Sequence, residues 1–467
     1  MRPLRLRESQ MRVGQPSSGA SSKMRRLSVA LSIAGRYSTE QIGMTRVRLA
    51  AIALGTMWVA VVTVTLDGGG QLPDTYFDET SAPAVAYAAQ QPHDAIAQLN
   101  EKLAAGSATL TYEHGSGYLR SVLSALDVPI ESQLAVFAKT SAQARIISPV
   151  NPRTLFFNDR VVVGWPRGGF IEAAALDPQL GVIFYNLNQQ ASASPRFERG
   201  NGCLTCHVSF EATLGVPGML LRSEAARADG VTMRQLGNEV VDHRLPLSKR
   251  WGGWYVTGRD VTVASRGNLL LRDETEEGFL TTPRAIAAET LHGKFDLAGY
   301  LSPYSDIVAL MVFDHQLRMM NLLARMSWET RAAQTKPEAQ TLIDAVAREV
   351  VDYMLFVDEA PLPGRIDGSS GFAERFSARG PKDSQDRSLY QLDLTTRLLR
   401  YPCSYMIYSD AFEGLPASAR DAVYRRMYAV LSGAEQTPRY SRLSSSDRQA
   451  IVDILRATKR DLPTYFR

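Results

Sequence analysis

The hydrophobic pattern changes character three times along the 467-residue chain. First comes a run of 18 uncharged, largely apolar residues, Leu49 to Leu66, preceded by Arg46 and Arg48. That length just spans a bilayer, and the basic flank predicts an N-terminus held in the cytoplasm. A membrane anchor is expected; the alternative is a cleaved export signal, with translation starting at Met44. The nearest small-x-small site, Ala84-Val85-Ala86, lies too far downstream to serve for cleavage.

Residues 67–92 are rich in Gly, Ala and Pro and read as a linker, and residues 93–147 as mixed and partly helical. The pattern then shortens. Arg160–Trp165, Phe170–Ala174 and Gly181–Leu187 are mostly β-branched and aromatic, separated by Asn158-Asp159, Gly168-Gly169 and Asp177-Pro178. Short apolar runs between turn dipeptides predict an antiparallel sheet. Trp251–Ala264 predicts one further hairpin. From Thr282 onward the spacing is helical, with helices expected over Arg284–Leu291, Ser305–Arg331, Glu338–Val357, Leu389–Leu399, Tyr405–Phe412, Ala417–Leu431 and Ser445–Thr458. The expected fold is α+β: a small antiparallel β region (within 93–281) and a mostly helical C-terminal half (282–467) packed with it. Both stand behind a basic leader (1–48), a transmembrane segment (49–66) and the linker.

Charge sharpens the compartment. The formal net charge is +4, but residues 1–50 carry ten basic against two acidic side chains, leaving 42 basic and 46 acidic in the rest. The basic excess belongs to the leader, the body is slightly acidic, and no nucleic-acid partner is expected. The leader places the body on the periplasmic side of a bacterial cytoplasmic membrane, anchored or secreted. An exported chain with three cysteines, Cys203, Cys206 and Cys403, is not a disulfide scaffold.

Two of those cysteines carry the chemistry. Residues 203–207 read Cys-Leu-Thr-Cys-His. Thiols three residues apart on one turn can form thioethers to the two vinyl groups of one porphyrin, and the adjacent His207 then reaches the iron as axial ligand. One motif implies one covalent haem c. Structural zinc wants four ligands, and there is no second Cys pair. A thioredoxin-like dithiol wants a βαβ frame that the loop-like surroundings lack. The sixth iron ligand is open between Met219 in a Gly-Val-Pro-Gly-Met loop, His243 in Asp-His-Arg-Leu-Pro, His315 on the long helix, and no ligand at all. Haem carboxylates need cationic partners and macrocycles attract indoles, which makes Arg222, Arg244, Arg250, Trp251 and Trp254 candidate surroundings. Cys403 reads as a buried packing residue.

Seven segments together resemble a bacterial family of cytochrome c domain-containing proteins, exported monohaem proteins of largely unassigned role. They are Phe137–Ser141, Ile147–Arg153, Tyr185–Gln189, Cys203–Arg222, Arg250–Gly258, Tyr300–Asn321 and Arg400–Ser409, covering the chain from about residue 120 onward. The resemblance implies covalent haem c at Cys203, Cys206 and His207 and one unit around it, without supplying a reaction. The resemblance implies a histidine in the Gly-Asn turn after Trp-Gly-Gly-Trp; here that place reads Ser265-Arg266-Gly267-Asn268. Either ligation differs from that of relatives that use the histidine, or, where they do not, His243 gains weight.

Three functions compete. The first is one-electron transfer between redox partner proteins outside the membrane. The second is a monohaem redox enzyme, peroxidase- or oxidase-like, with an open distal side; the third is a haem-based sensor. About 200 residues precede the motif and about 260 follow it, more than a simple carrier needs, whereas a dihaem peroxidase would need a second motif. Electron transfer is the expectation.

Overall fold

In the computed structural model, the seven antiparallel strands of one sheet run from residue 134 to residue 255, and the structure describes residues 85–271, 275 and 287–466. The leader, the anchor segment and residues 67–84 of the expected linker therefore lie outside the described residues. The strands are β1 (Leu134–Val136), β2 (Arg153–Phe157), β3 (Val161–Pro166), β4 (Ile171–Asp177), β5 (Gly181–Leu187), β6 (Glu198–Arg199) and β9 (Trp254–Tyr255), in the order β6-β5-β4-β3-β2-β1-β9. A separate ribbon pairs β7 (Arg222–Glu224) with β8 (Asn238–Val240).

The turns form where short polar side chains bond their own backbone. Asn158 Oδ1 accepts from the Arg160 and Val161 amides, and Asp177 Oδ1 from those of Gln179 and Leu180. Gly168 supplies φ +83° to the β3–β4 turn. The three predicted runs are thus strands, with ends displaced by at most three residues. The expected hairpin over Trp251–Ala264 does not form. Trp251 takes φ +69° and Gly253 φ +85°, and the bend hands Trp254–Tyr255 to the sheet edge at β1, more than a hundred residues away in sequence.

Side chains alternate between faces of the sheet. The pairings put Val136, Arg153, Leu155, Phe157, Gly164, Glu172, Ala174, Phe184, Asn186 and Trp254 on one face. The opposite face meets α1 (Ala95–Ala104), whose N-cap Asp94 accepts from the Tyr185 hydroxyl at 2.6 Å. On that same side Tyr87 is buried and its hydroxyl bonds the Val182 carbonyl, so residues 85–92, expected as linker, are docked on the body. A short helix, α2 (Leu119–Ala125), adds Leu119, Val122 and Leu123 to the core.

The one-turn helix α3 (Leu204–His207), with Cys203 at its N-cap, carries the Cys-Leu-Thr-Cys-His segment, and a second, α4 (Phe210–Thr213), follows. The helical half follows: α5 (Ile307–Ala333), α6 (Ala339–Met354), α7 (Phe372–Arg379), α8 (Asp410–Glu413), α9 (Ala417–Leu431) and α10 (Ser445–Thr458). Asp306 caps α5 through the Val308 and Ala309 amides, and Ser444 caps α10 through the Asp447 amide. Helix α5 is buried along nearly its whole length and carries the core: Phe313 packs on Phe157 at 4.7 Å, α6 lies beside it, and α9 lies against α6. Although α5 is long and apolar enough to cross a membrane, 94% of its most apolar window is covered by protein, as in a core helix.

Two expected helices do not form over the described residues. Over Leu389–Leu399, Asp393 Oδ1 takes the Thr395 and Thr396 amides and Leu394 adopts φ +59°, which replaces a helical turn by a bridge between Leu392 and Leu399. In the described part of Arg284–Leu291, Ala288 pairs with Thr257 in a β-bridge. Helix α7, which the spacing did not predict, begins after Gly371 at φ +85°. The described residues, from strand and helical halves alike, share one main hydrophobic core.

Candidate functional site

Cys203 and Cys206 stand three residues apart at the start of one helical turn, Cys203 half-buried and Cys206 exposed. His207 is the last residue of that turn, and its ring packs on Phe184 of β5 at 4.7 Å. Its Nδ1 lies 2.9 Å from the Gly218 carbonyl. An imidazole that donates from Nδ1 to a carbonyl leaves its Nε2 lone pair outward, the arrangement metal-ligating histidines require. Nε2 has no hydrogen-bond partner among the described residues and is not sealed from solvent. Burial lowers the His207 pKa and so favours this neutral form.

The Gly218 carbonyl is fixed from the other side. Asn321 of α5 accepts from the Met219 amide at 2.9 Å and donates to the Met219 carbonyl at 2.7 Å. The glycine is obligatory here: a Cβ on Gly218 would stand 2.3 Å from Asn321 Oδ1. The long core helix thus positions the histidine through one amide clamp and one carbonyl.

A pair of charges borders the motif. Arg153 on β2 and Glu172 on β4 form a half-buried ion pair at 2.7 Å, reaching across β3 at Gly164, where no side chain intervenes. Both charges act on His207, and Glu172 acts on Cys203. Cys203 is pushed up to about 11, chiefly by burial. A reactive dithiol needs its thiol pulled down, so this environment does not fit a thioredoxin-like role. No group of three or more His, Cys, Asp or Glu among the described residues could hold a metal ion, which leaves zinc without its ligand set.

The other expected residues divide in two. Arg222 stays near the motif, bonded to Glu211 of α4 and to Asn238, while its carbonyl accepts from Trp254 Nε1. Trp254 lies on the same sheet face as Phe184 and Arg153. The rest, apart from the exposed Arg244, gather in the interior. His243 Nδ1 and His315 Nδ1 are 2.8 Å apart, and His315 Nε2 is 2.7 Å from Ser404 Oγ. The Tyr353 and Phe356 rings stack on both imidazoles, their centroids 4.1–5.2 Å from the imidazole centroids. Arg250 and Trp251 both donate to the buried carboxylate of Asp314, and Arg250 also donates to the His243 and Leu245 carbonyls. Arg244 is bound by Asp242 and lies over Tyr353. Cys403 is fully buried in the core. Met219 keeps its side chain in the main core and its backbone in the Asn321 clamp.

Sequence reasoning passed over Arg153, Glu172, Phe184, Gly218 and Asn321. Their signal was faint: Arg153 and Asn321 each end one of the resembling segments, and Gly218 sits in the Gly-Val-Pro-Gly-Met loop. No family model matches this chain, and neither does any curated protein or solved structure.

The residues fit a covalently held porphyrin. Two thiols and an outward imidazole nitrogen share one turn, and Phe210, three residues beyond His207, is 91% exposed. So large an apolar ring left in water beside the exposed Cys206 is a surface that a flat apolar group attached there would cover.

Proposed function

We propose that this chain carries one haem c, bound through Cys203 and Cys206 with His207 as axial ligand, and serves as a one-electron carrier between redox partner proteins. The haem, when bound, supplies a reversible one-electron couple; one electron enters from a donor protein and one leaves to an acceptor. The observation that carries the reading is the His207 geometry: Nδ1 held by the Gly218 carbonyl and Nε2 free, one residue after Cys206 and four after Cys203. The protein's part is to hold that ring neutral and rigid, through Asn321 and Phe184. The apolar run Leu49–Leu66 with its basic flank supports an anchor or export signal and a periplasmic site of action, where haem c is attached.

One observation favours a second reading. His243 Nδ1 and both His315 nitrogens are bonded in the interior and His243 Nε2 is sealed from solvent, which favours Met219 or no protein group as a second iron ligand. An open sixth position is the arrangement of a monohaem redox enzyme.

The test is haem staining of the denatured protein after export from a cell with haem c maturation. Thioethers survive denaturation, so the wild type stains and the C203S/C206S variant does not; an unstained wild type overturns the proposal. In the stained protein, a thioether-to-iron band in the near infrared assigns Met219, and carbon monoxide binding to high-spin iron selects the enzyme reading.

A further inference from the structure

Arg153 is an expensive residue to keep where it stands. Its side chain is 16% exposed, one nitrogen pairs with Glu172, and Nε is sealed from solvent with no hydrogen-bond partner. A buried donor without a partner costs stability, and an apolar pair of similar volume would pack at least as well. The third guanidinium nitrogen, Nη2, is neither bonded nor sealed. It therefore faces the accessible side with unused donors.

That side is the one on which the motif sits. Arg153, Glu172, Asn186 and Phe184 share a sheet face; Phe184 carries the His207 ring, and Asn186 and Cys203 Sγ both border Gly200, at 3.0 and 3.5 Å from where its Cβ would stand. The other arginines nearby are committed. Arg222 is bonded to Glu211 and Asn238, and Arg199 to the Tyr87 and Gln90 carbonyls. Gly164 makes room for the ion pair: a Cβ there would stand 2.9 Å from Leu155 Cδ2 and 3.6 Å from Glu172 Oε2.

We propose that Arg153, braced by Glu172 across Gly164, is the carboxylate anchor for the macrocycle fixed at Cys203, Cys206 and His207. The inference rests on the haem c reading above. A porphyrin's carboxylates project from the edge away from its vinyl attachment points, so a haem held at the cysteines needs a cation on the neighbouring surface. Two strands of a sheet hold this one rigidly. The pair would also set the charge near a haem held by His207. A cation there disfavours the ferric state and raises the reduction potential; its paired anion partly offsets this.

Exported, haem-stained protein is titrated for midpoint potential between pH 5 and 8 in the wild type, R153Q, R153K and E172Q. R153Q is expected to lower the potential and to steepen its pH dependence, because the haem carboxylate loses its counter-charge. E172Q is expected to raise the potential, and R153K to stay near the wild type. Unchanged potential and pH profile in R153Q, or shifts of the same sign in R153Q and E172Q, overturn the proposal. If R153Q does not fold, the sign of the E172Q shift against R153K decides. Haem staining separates the two levels: unstained wild type overturns the haem reading itself, whereas stained variants with unmoved potentials overturn only the anchor.

Discussion

Two histidine environments in this molecule look alike by composition and differ in what they leave open. At His207, a carbonyl takes Nδ1, a phenylalanine supports the ring, and Nε2 is left for something outside the protein. At His243 and His315 the imidazoles use Nδ1 on each other, Tyr353 and Phe356 stack on both, and Ser404 takes the remaining His315 nitrogen, while His243 Nε2 is sealed in the interior without a hydrogen-bond partner. The first is arranged to receive a ligand. The second is a closed polar knot that joins the loop at 243 to α5, the C-terminal end of α6 and the segment at 404. Its neighbours share that character: Arg250 and Asp314 pair at 3.2 Å with side chains 3% and 0% exposed. Residue type and local polarity do not separate a binding site from a structural knot; the access of the unused nitrogen does, since His243 Nε2 is sealed from solvent and His207 Nε2 is not.

The largest expected effect is on the knot. D314A leaves a buried guanidinium with only backbone carbonyls and strands the Trp251 indole nitrogen. Removing one partner of a buried pair costs about 3–5 kcal/mol. Urea unfolding should show a loss in that range, while haem staining of whatever protein is exported persists. A D314A protein as stable as the wild type would mean that the knot is not structural.

Acid reaches the same cluster next. Burial lowers His243 well below its ordinary range and His315 to about 3, so in the unfolded chain both bind a proton near pH 6.5 while the folded state refuses it. Their contribution to stability is intact above about pH 6.5 and is lost as pH falls toward 3. The slope is at most two protons, about 2.7 kcal/mol per pH unit. Asp314 works in the opposite sense: burial pushes it up to about 7, so its contribution weakens as pH rises through the same window. D314N should therefore steepen the acid-side fall of the urea midpoint between pH 6.5 and 4, and H243Q should flatten it. An H243Q midpoint that falls as steeply with acid as the wild type's in that window would contradict the assignment of a neutral His243.

The same contrast explains what the sequence made legible. Strands, turns and caps depend on residues within a few positions, so Asn158, Gly168, Asp177 and Ser444 declare themselves. The Cys-Leu-Thr-Cys-His segment is equally local and could be read whole. What could not be read is the pairing of distant residues. Trp254–Tyr255 joins β1 across more than a hundred residues, Asn321 reaches the loop at 218, and Arg153 meets Glu172 over a glycine. Arg250 and Trp251 were attractive haem neighbours on the chain, yet the buried Asp314 carboxylate on α5 takes the Trp251 indole and one Arg250 nitrogen, and backbone carbonyls take the others. Leu389–Leu399 has helical spacing, but Asp393 offers its backbone a tighter turn.

The smallest effect belongs to the open site, and its sign depends on what occupies it. Phe210 is 91% exposed, its ring lying over Gly215, where a Cβ would stand 3.0 Å from it. In a chain without the macrocycle, F210S removes almost no buried area, and surface changes of that kind stay within about 0.5 kcal/mol. In the haem-loaded chain the ring would lie against an apolar plane attached at Cys206, and losing a partly covered phenylalanine costs about 1–2 kcal/mol. Urea midpoints of F210S in the wild-type and C203S/C206S backgrounds give the comparison directly. Equal small shifts in both would leave Phe210 uncovered and the haem elsewhere, whereas a loss confined to the loaded protein ties the exposed ring to the attached group.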